Sequence, residues 1–201
     1  MPSIEQKADR DEERIRLRAQ SELSDRRYAH TAGVVEAAAK LAARYGEDVG
    51  KARLAAWLHD IAREWPTERL HLYAEKIELP SGFALIPALL HGPVAAHLAQ
   101  EWFNIDDEDL LNAVRYHTTG RLGMSRLERI VCLADAIEVG RRYDGVEALR
   151  TLATTDLNRA LAESFDQTLR HLLDRRQPIF PLTVMARNAF WDEVRLSTST
   201  P

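Results

Sequence analysis

Histidine and aspartate occur in this chain at positions where neither residue is easily left without a partner. Of the seven histidines, His30, His91 and His117 fall at the face or edge of segments whose apolar spacing predicts buried helices. His59 stands directly before Asp60, after the run Leu54-Ala55-Ala56-Trp57-Leu58. A carboxylate withdrawn from water needs a partner, and a helix C-terminus disfavours an acid through its dipole. The alternative for His59–Asp60 is a water-exposed pair at a helix end. Asp135 poses the same problem inside Ile130-Val131-Cys132-Leu133-Ala134-Asp135-Ala136-Ile137, where its plainer partner is Arg141 or Arg142. Together His30, His59, Asp60, His91, His117 and Asp135 form a donor set for one or two divalent transition-metal ions. The mix of nitrogen and oxygen favours iron, manganese or cobalt over an all-oxygen magnesium site or a thiolate zinc site. Neighbouring helix residues point about 100° apart, so His59 and Asp60 share such a cluster only if it sits over the end of their helix. His71, His97 and His171 stand outside the set.

The elements that must position these residues are helical. Ser24 is placed to cap a helix in which Val34, Ala38, Leu41 and Tyr45 repeat at three- or four-residue steps, with His30 on the same stripe and Gly46 as its stop. A second helix is expected from about Asp48 to Ile61, with His59–Asp60 near its end. Pro66 opens a short helix to about Lys76, and Pro80-Ser81-Gly82 mark a loop. Pro93 starts a helix to about Phe103, just after His91. Acids at 106–109 precede a helix on which Leu110, Val114 and His117 share a face. Ser125-Arg126-Leu127-Glu128 spells a capping box for a helix carrying Asp135. A long amphipathic helix through Leu157, Leu161, Phe165, Leu169 and Leu172 stops at Pro178, and a last one spans about Leu182 to Leu196. No run alternates strongly enough for a strand. The expected architecture is all-α: an N-terminal helical or frayed extension over 1–20, a single helical bundle over 21–196, and a disordered tail over 197–201.

Bulk composition limits the function classes. The chain has 201 residues, 45% of them hydrophobic and 29% charged, values of a globular and not a disordered protein. A net charge of −4 argues against nucleic-acid binding through a broad basic surface. It leaves room for an anionic substrate, because bound cations supply charge that the count omits. Cys132 is the one cysteine, so neither an internal disulfide nor a cysteine-rich zinc site forms, which fits a reducing, cytoplasmic setting. Met1 to Arg18 is too charged for a secretory signal. Leu79 to Gln100 lacks charge and approaches membrane length, but its prolines, glycines, His91 and His97 predict a buried turn plus helix, not a span. Oligomeric state is left open, a homodimer included.

The wording around the histidines narrows the reading. Arg27-Tyr28-Ala29-His30-Thr31, Leu58-His59-Asp60-Ile61-Ala62-Arg63, Leu90-His91-Gly92-Pro93, Tyr116-His117-Thr118-Thr119-Gly120 and Ala134-Asp135-Ala136-Ile137-Glu138 resemble, in this order, the HD-domain phosphohydrolases of the YqeK-type symmetrical bis(5′-nucleosyl)-tetraphosphatase family. Pro178-Ile179-Phe180-Pro181 and Ala186-Arg187-Asn188 extend the resemblance over about Leu23 to Asn188. It implies an all-helical HD domain with a metal pair, iron in that family, that splits diadenosine tetraphosphate into two ADP. Carried over by motif, His30, His59, Asp60 and Asp135 would hold one metal and Asp60, His91 and His117 the other, with Asp60 bridging. The chain departs from the family pattern at Arg63, usually Lys, and at Val139, usually Pro.

Beyond the metal ligands, Arg63 and Arg141 are candidates for stabilising phosphate charge, with Asp60 and Arg63 at the catalytic centre. Thr118 and Thr119 are candidates for hydrogen bonds to the substrate. The plainer alternatives are surface salt bridges for the arginines and turn chemistry for the threonines. Two other functions compete with the implied one: an HD phosphohydrolase for a mononucleotide or cyclic dinucleotide, and a nucleotide-sensing module without turnover.

Overall fold

The computed structural model describes residues 4–79 and 81–198. Ten α-helices and no strand occur among them. The helices are α1 (Ile4–Glu22), α2 (Asp25–Tyr45), α3 (Val49–Leu58), α4 (Thr67–Ala74), α5 (His91–Phe103), α6 (Glu108–Arg115), α7 (Arg126–Ile137), α8 (Val146–Leu152), α9 (Leu157–Asp174) and α10 (Pro181–Thr198). Short 3-10 turns at Phe83–Leu85 and Pro87–Leu89 lead into α5.

The centre of the bundle is α3. Its Ala52, Ala55, Ala56, Trp57 and Leu58 are all buried, so it lacks the one-sided pattern of a surface helix. α1, α2, α6 and α7 pack around it. Leu58, Ile61, Leu90, Leu111, Ile130 and Leu133 are fully buried in the shared core, each contributing about 1.5–3 kcal/mol relative to exposure.

The expected starts hold where capping chemistry is strong. The Ser24 hydroxyl accepts from Arg27 N–H, and the Asp48 carboxylate from Lys51 N–H. Ser125 and Glu128 make the reciprocal capping box. The ends differ more. α3 stops at Leu58, three residues short of the expected end, because the chain tightens into i→i+3 turns: Ile61 N–H donates to Leu58 and Arg63 N–H to Asp60. α5 begins on His91 itself, with Pro93 inside its first turn. α6 ends at Arg115, so His117 lies in the turn beyond it. α8 was not anticipated.

Within the expected extension, Ile4 onward is helical and Ile15 and Ala19 are completely buried, which binds this segment to the core. Glu12 accepts from Arg53 and from the Trp57 indole, and Glu22 accepts from the Trp65 indole. At the other end, Ser197 and Thr198 are not tail: they continue α10, with the Ser197 hydroxyl donating to the Val194 carbonyl. Residues 1–3 of the expected extension, Pro80 of the expected loop and 199–201 of the expected tail lie outside the described residues. No described helix is long and apolar enough to cross a membrane.

Candidate metal centre

Four of the six residues meet the site at helix ends. His59 is the residue after α3, Asp60 follows in the turn, His91 opens α5, and His117 follows α6. His30 lies in the second turn of α2 and Asp135 in the last turn of α7. One local device orients three of the imidazoles. The Nδ1 atoms of His59, His91 and His117 sit 2.6, 2.8 and 2.8 Å from the carbonyls of Ala56, Ala88 and Val114, each three residues back. An Nδ1–H donated to a carbonyl fixes the tautomer and leaves Nε2 as a bare acceptor facing inward. His30 is held differently: its Nδ1 is 3.1 Å from Glu138 Oε1.

Gly92 lets two of these ends touch. A Cβ there would lie 2.7 Å from the Arg115 carbonyl oxygen, so only glycine allows the start of α5 to press against the end of α6. As a result His91 Nε2 and His117 Nε2 are 3.1 Å apart.

Asp60 stands at the middle of the cluster. Its Oδ2 lies 3.8 Å from His30 Nε2 and 3.5 Å from His59 Nε2. Its Oδ1 lies 3.3 Å from His91 Nε2 and 3.7 Å from His117 Nε2. Asp135 Oδ1 completes the first side, 3.0 Å from His30 Nε2 and 4.0 Å from His59 Nε2. The donor atoms fall into overlapping triads, His30–His59–Asp60, His59–His117–Asp135 and Asp60–His91–His117, each within 4.8 Å internally. His30 Nε2 and His59 Nε2 are buried and make no aligned hydrogen bond. Buried acceptors left this way around two carboxylates suit a cation, so the donors present fit a transition-metal pair.

The electrostatics agree. Burial works against charge on Asp60, but the adjacent imidazoles, His59 first and then His91, hold the carboxyl well below the usual range. Burial likewise opposes ionisation of Asp135, and His30 and Arg141 outweigh it. Burial also opposes charge on His59, yet Asp60 and Asp135 pull its pKa up, the mark of carboxylates that favour a cation among them. Burial, with His59 and His91 adjacent, pushes His117 down to about 3, so it is a neutral imidazole at ordinary pH.

All six residues expected as ligands meet here, and His71, His97 and His171 take no part. The other expected residues divide. Thr118 Oγ1 lies 2.9 Å from His117 Nε2 and 3.4 Å from His91 Nε2, on an exposed residue at the cluster's edge. Thr119 does not reach the cluster: it is buried, and its hydroxyl donates to the Gly120 carbonyl, the plain turn chemistry of its segment. Arg63 donates from Nη1 to the Ala88 carbonyl and lies 3.0 Å from His91 Nδ1, so it braces the His91 turn. Arg141 donates to both the carbonyl and the carboxylate of Asp135. Asp135 therefore has the arginine partner and the place in the cluster that seemed to be alternatives.

Two participants had no assigned role. Arg27 donates from Nη1 to Asp60 Oδ2 at 3.0 Å, and its Nε is buried without a partner. Glu138 is 4% exposed and holds His30 while accepting from Gly140 N–H. Both lie in the sequence segments that contain His30 and Asp135, but nothing in their spacing distinguishes them from surface charges. The glycines around Glu138 were the available signal. A Cβ at Gly33 or Gly140 would come within 2.6 or 2.9 Å of its carboxylate oxygens.

Comparison with known proteins follows the same lines. The HD domain matches residues 27–140. A symmetrical bis(5′-nucleosyl)-tetraphosphatase of Bacillus subtilis is 42% identical over 83% of this chain and 90% of its own length. A protein of the same description from Halalkalibacterium halodurans is 46% identical over 83% and 89%. One from Staphylococcus aureus is 32% identical over 89% and 93%. The crystal structure of a Clostridium acetobutylicum protein, described as a predicted HD superfamily hydrolase involved in NAD metabolism, superposes with a TM-score of 0.85 at 40% identity, covering 90% of this chain and 97% of that one.

Proposed function

From the premise that this chain belongs to the HD-domain family, among the symmetrical bis(5′-nucleosyl)-tetraphosphatases, we propose that it is a metal-dependent hydrolase cleaving diadenosine tetraphosphate into two ADP. The observation that carries the site chemistry is Asp60, with one carboxylate oxygen toward His30 and His59 and the other toward His91 and His117. His30, His59, Asp60 and Asp135 would hold one divalent ion and Asp60, His91 and His117 a second, with iron, manganese or cobalt suiting the donors. When bound, such a pair supplies an activated water and neutralises charge on the phosphoryl oxygens.

The protein's own residues do the positioning. Carbonyls of Ala56, Ala88 and Val114 keep three imidazoles as acceptors at Nε2. Arg27 and Arg141 balance the two carboxylates, so the anionic donors are not left facing one another. Thr118 offers a hydroxyl at the open edge for a phosphate oxygen. Arg63 fixes the His91 turn with Nη1, and as an exposed residue it keeps guanidinium N–H groups free to meet phosphate charge. Symmetrical cleavage requires the entering and leaving oxygens in line at the central bridge, so one ADP unit must stay held while the other leaves. The buried, unpaired Cys132 and the lack of a membrane-crossing helix among the described residues accord with work in the cytoplasm.

Chromatography of the products from diadenosine tetraphosphate tests the reading. ADP as the sole nucleotide product is expected. Equal AMP and ATP would reject symmetrical cleavage. Brisk turnover of a mononucleotide without any dinucleotide cleavage would assign the site to a different HD substrate.

A further inference from the structure

Arg27 stands one helical turn before His30 on α2, and its Nη1 donates to Asp60 Oδ2 at 3.0 Å. The imidazole nitrogens approach the same carboxylate less closely, at 3.3 to 3.8 Å. The difference matters because the last torsion of an aspartate is broad and roughly two-fold, so its plane is set by what it bonds to. With Oδ2 held by Arg27, Oδ1 is left toward His91 and His117. Arg27 therefore fixes how the carboxylate is divided between the two halves of the cluster.

A second link fixes Arg27 itself. Glu64 accepts from the Ser24 N–H at 2.8 Å and from the Ser24 hydroxyl at 3.0 Å, and that hydroxyl accepts from the Arg27 N–H at 3.3 Å. Ser24 and Arg27 belong to the start of α2, and Asp60 and Glu64 to the turns just beyond α3. One tie at each end thus joins these two pieces of chain. The arrangement has a cost. Arg27 Nε is buried without a partner, and a buried N–H left unpaired is unfavourable. An apolar side chain of similar length would avoid that cost, so packing alone does not account for a guanidinium at this position.

We propose that Arg27 is a positioning residue: it holds Asp60 as a bridge, one oxygen to each half of the cluster, and so secures the ion on the His91–His117 side. The inference rests on the metal-pair reading above. In that reading the His91–His117 ion has Asp60 and two imidazoles, whereas the other ion has His30, His59 and Asp135 besides Asp60. A carboxylate free to turn therefore costs the His91–His117 ion more. Simple charge repulsion makes the opposite forecast, since removing a cation beside the cluster would tighten both ions.

The test loads the whole chain with manganese(II) and follows it by equilibrium titration and electron paramagnetic resonance. Two ions bridged by a carboxylate couple magnetically, and a lone ion shows resolved hyperfine lines. Wild type should bind a pair and give the coupled spectrum. Arg27→Met should weaken the second ion about 10- to 100-fold, the range for losing a partner that orients a metal ligand, and should leave the first nearly unchanged. Its spectrum should become that of a lone ion. Arg27→Lys should restore part of the second affinity. Glu64→Ala, an exposed position away from the cluster, should weaken the same ion by a smaller factor. If Arg27→Met does not fold, Glu64→Ala decides, and unchanged affinity there overturns the proposal. A coupled pair of wild-type affinity in Arg27→Met overturns it, as does tighter binding of both ions. A coupled pair with a raised KM for diadenosine tetraphosphate would make Arg27 a phosphate contact and also overturn it. Wild type that never binds a pair rejects the metal-pair reading, and this inference with it.

Discussion

Glu138 grips His30 from behind: its Oε1 lies 3.1 Å from His30 Nδ1, in a pocket kept open by glycine at 33 and 140. The other three imidazoles of the cluster lean on backbone carbonyls, which no substitution can remove. Glu138→Gln keeps the shape and loses the charge. It should weaken metal affinity by about 10- to 100-fold, the usual cost of an outer partner to a ligating histidine. Metal titration followed by elemental analysis measures this, and unaltered affinity would make Glu138 a packing residue only.

Asp60→Ala should abolish both metal binding and activity, because its two oxygens serve both halves of the cluster. His71→Ala, His97→Ala and His171→Ala should keep full metal content. Loss of metal in any of those three would contradict the ligand set proposed above.

Arg63→Ala is expected to lower kcat/KM on the order of 10²-fold, as for the loss of one charge-stabilising donor. Its contact with the Ala88 carbonyl beside His91 adds a second expectation. Metal affinity should fall about tenfold as the His91 turn loosens. Parallel kinetics and metal titration separate the two effects. A wild-type rate would leave Arg63 as a surface brace.

Gly92→Ala should destabilise the fold by about 1–3 kcal/mol, the range for forcing an atom into a packed contact. The new methyl would meet backbone, the Arg115 carbonyl oxygen at 2.7 Å, which cannot swing aside as a side chain does. Activity of the folded fraction should fall too, because His91 and His117 depend on that approach. Denaturant melts with matched kinetics test both parts, and a neutral Tm would contradict the close contact.

Glu12 supplies a pH dependence far from the cluster. Its hydrogen bond to Arg53 is the largest influence and, with Trp57, holds its pKa below the ordinary 4.5 despite partial burial. A depressed carboxylate contributes stability that is present above the unfolded value and lost as pH falls through the folded one. Wild type should therefore exceed Glu12→Gln in stability near neutrality and approach it as pH falls through and below the ordinary glutamate range. Melts across that range check the sign. A gap that widens on acidification would refute it.

The donor set and the helical architecture were legible because their signals are local and strong. An aspartate after Trp57-Leu58-His59, or within Ile130–Ile137, conflicts with its surroundings, and the structure resolves both conflicts in the cluster. Caps at Ser24, Asp48 and Ser125 are equally local. What escaped depends on contacts distant in sequence. Arg27 finds Asp60 across 33 residues, and Glu138 finds His30 across 108. Thr118 and Thr119 are indistinguishable by type, yet backbone direction sends one hydroxyl to the histidines and the other to Gly120. Helix ends were misplaced where the chain tightens after Leu58, since no proline or glycine marks that stop.

The gathering of residues from five separate segments gives the site a role in folding energetics. His30, His59–Asp60, His91, His117 and Asp135 belong to segments that have no fixed spacing in the unfolded chain. Cations held among them close several long loops at once and bind the native state alone, so their binding free energy adds to conformational stability. Chelation then becomes a mechanical probe. The rate at which a strong chelator extracts the ions reports how often α3, α5 and α6 part at their ends, and the accompanying drop in Tm measures the strength of the clasp.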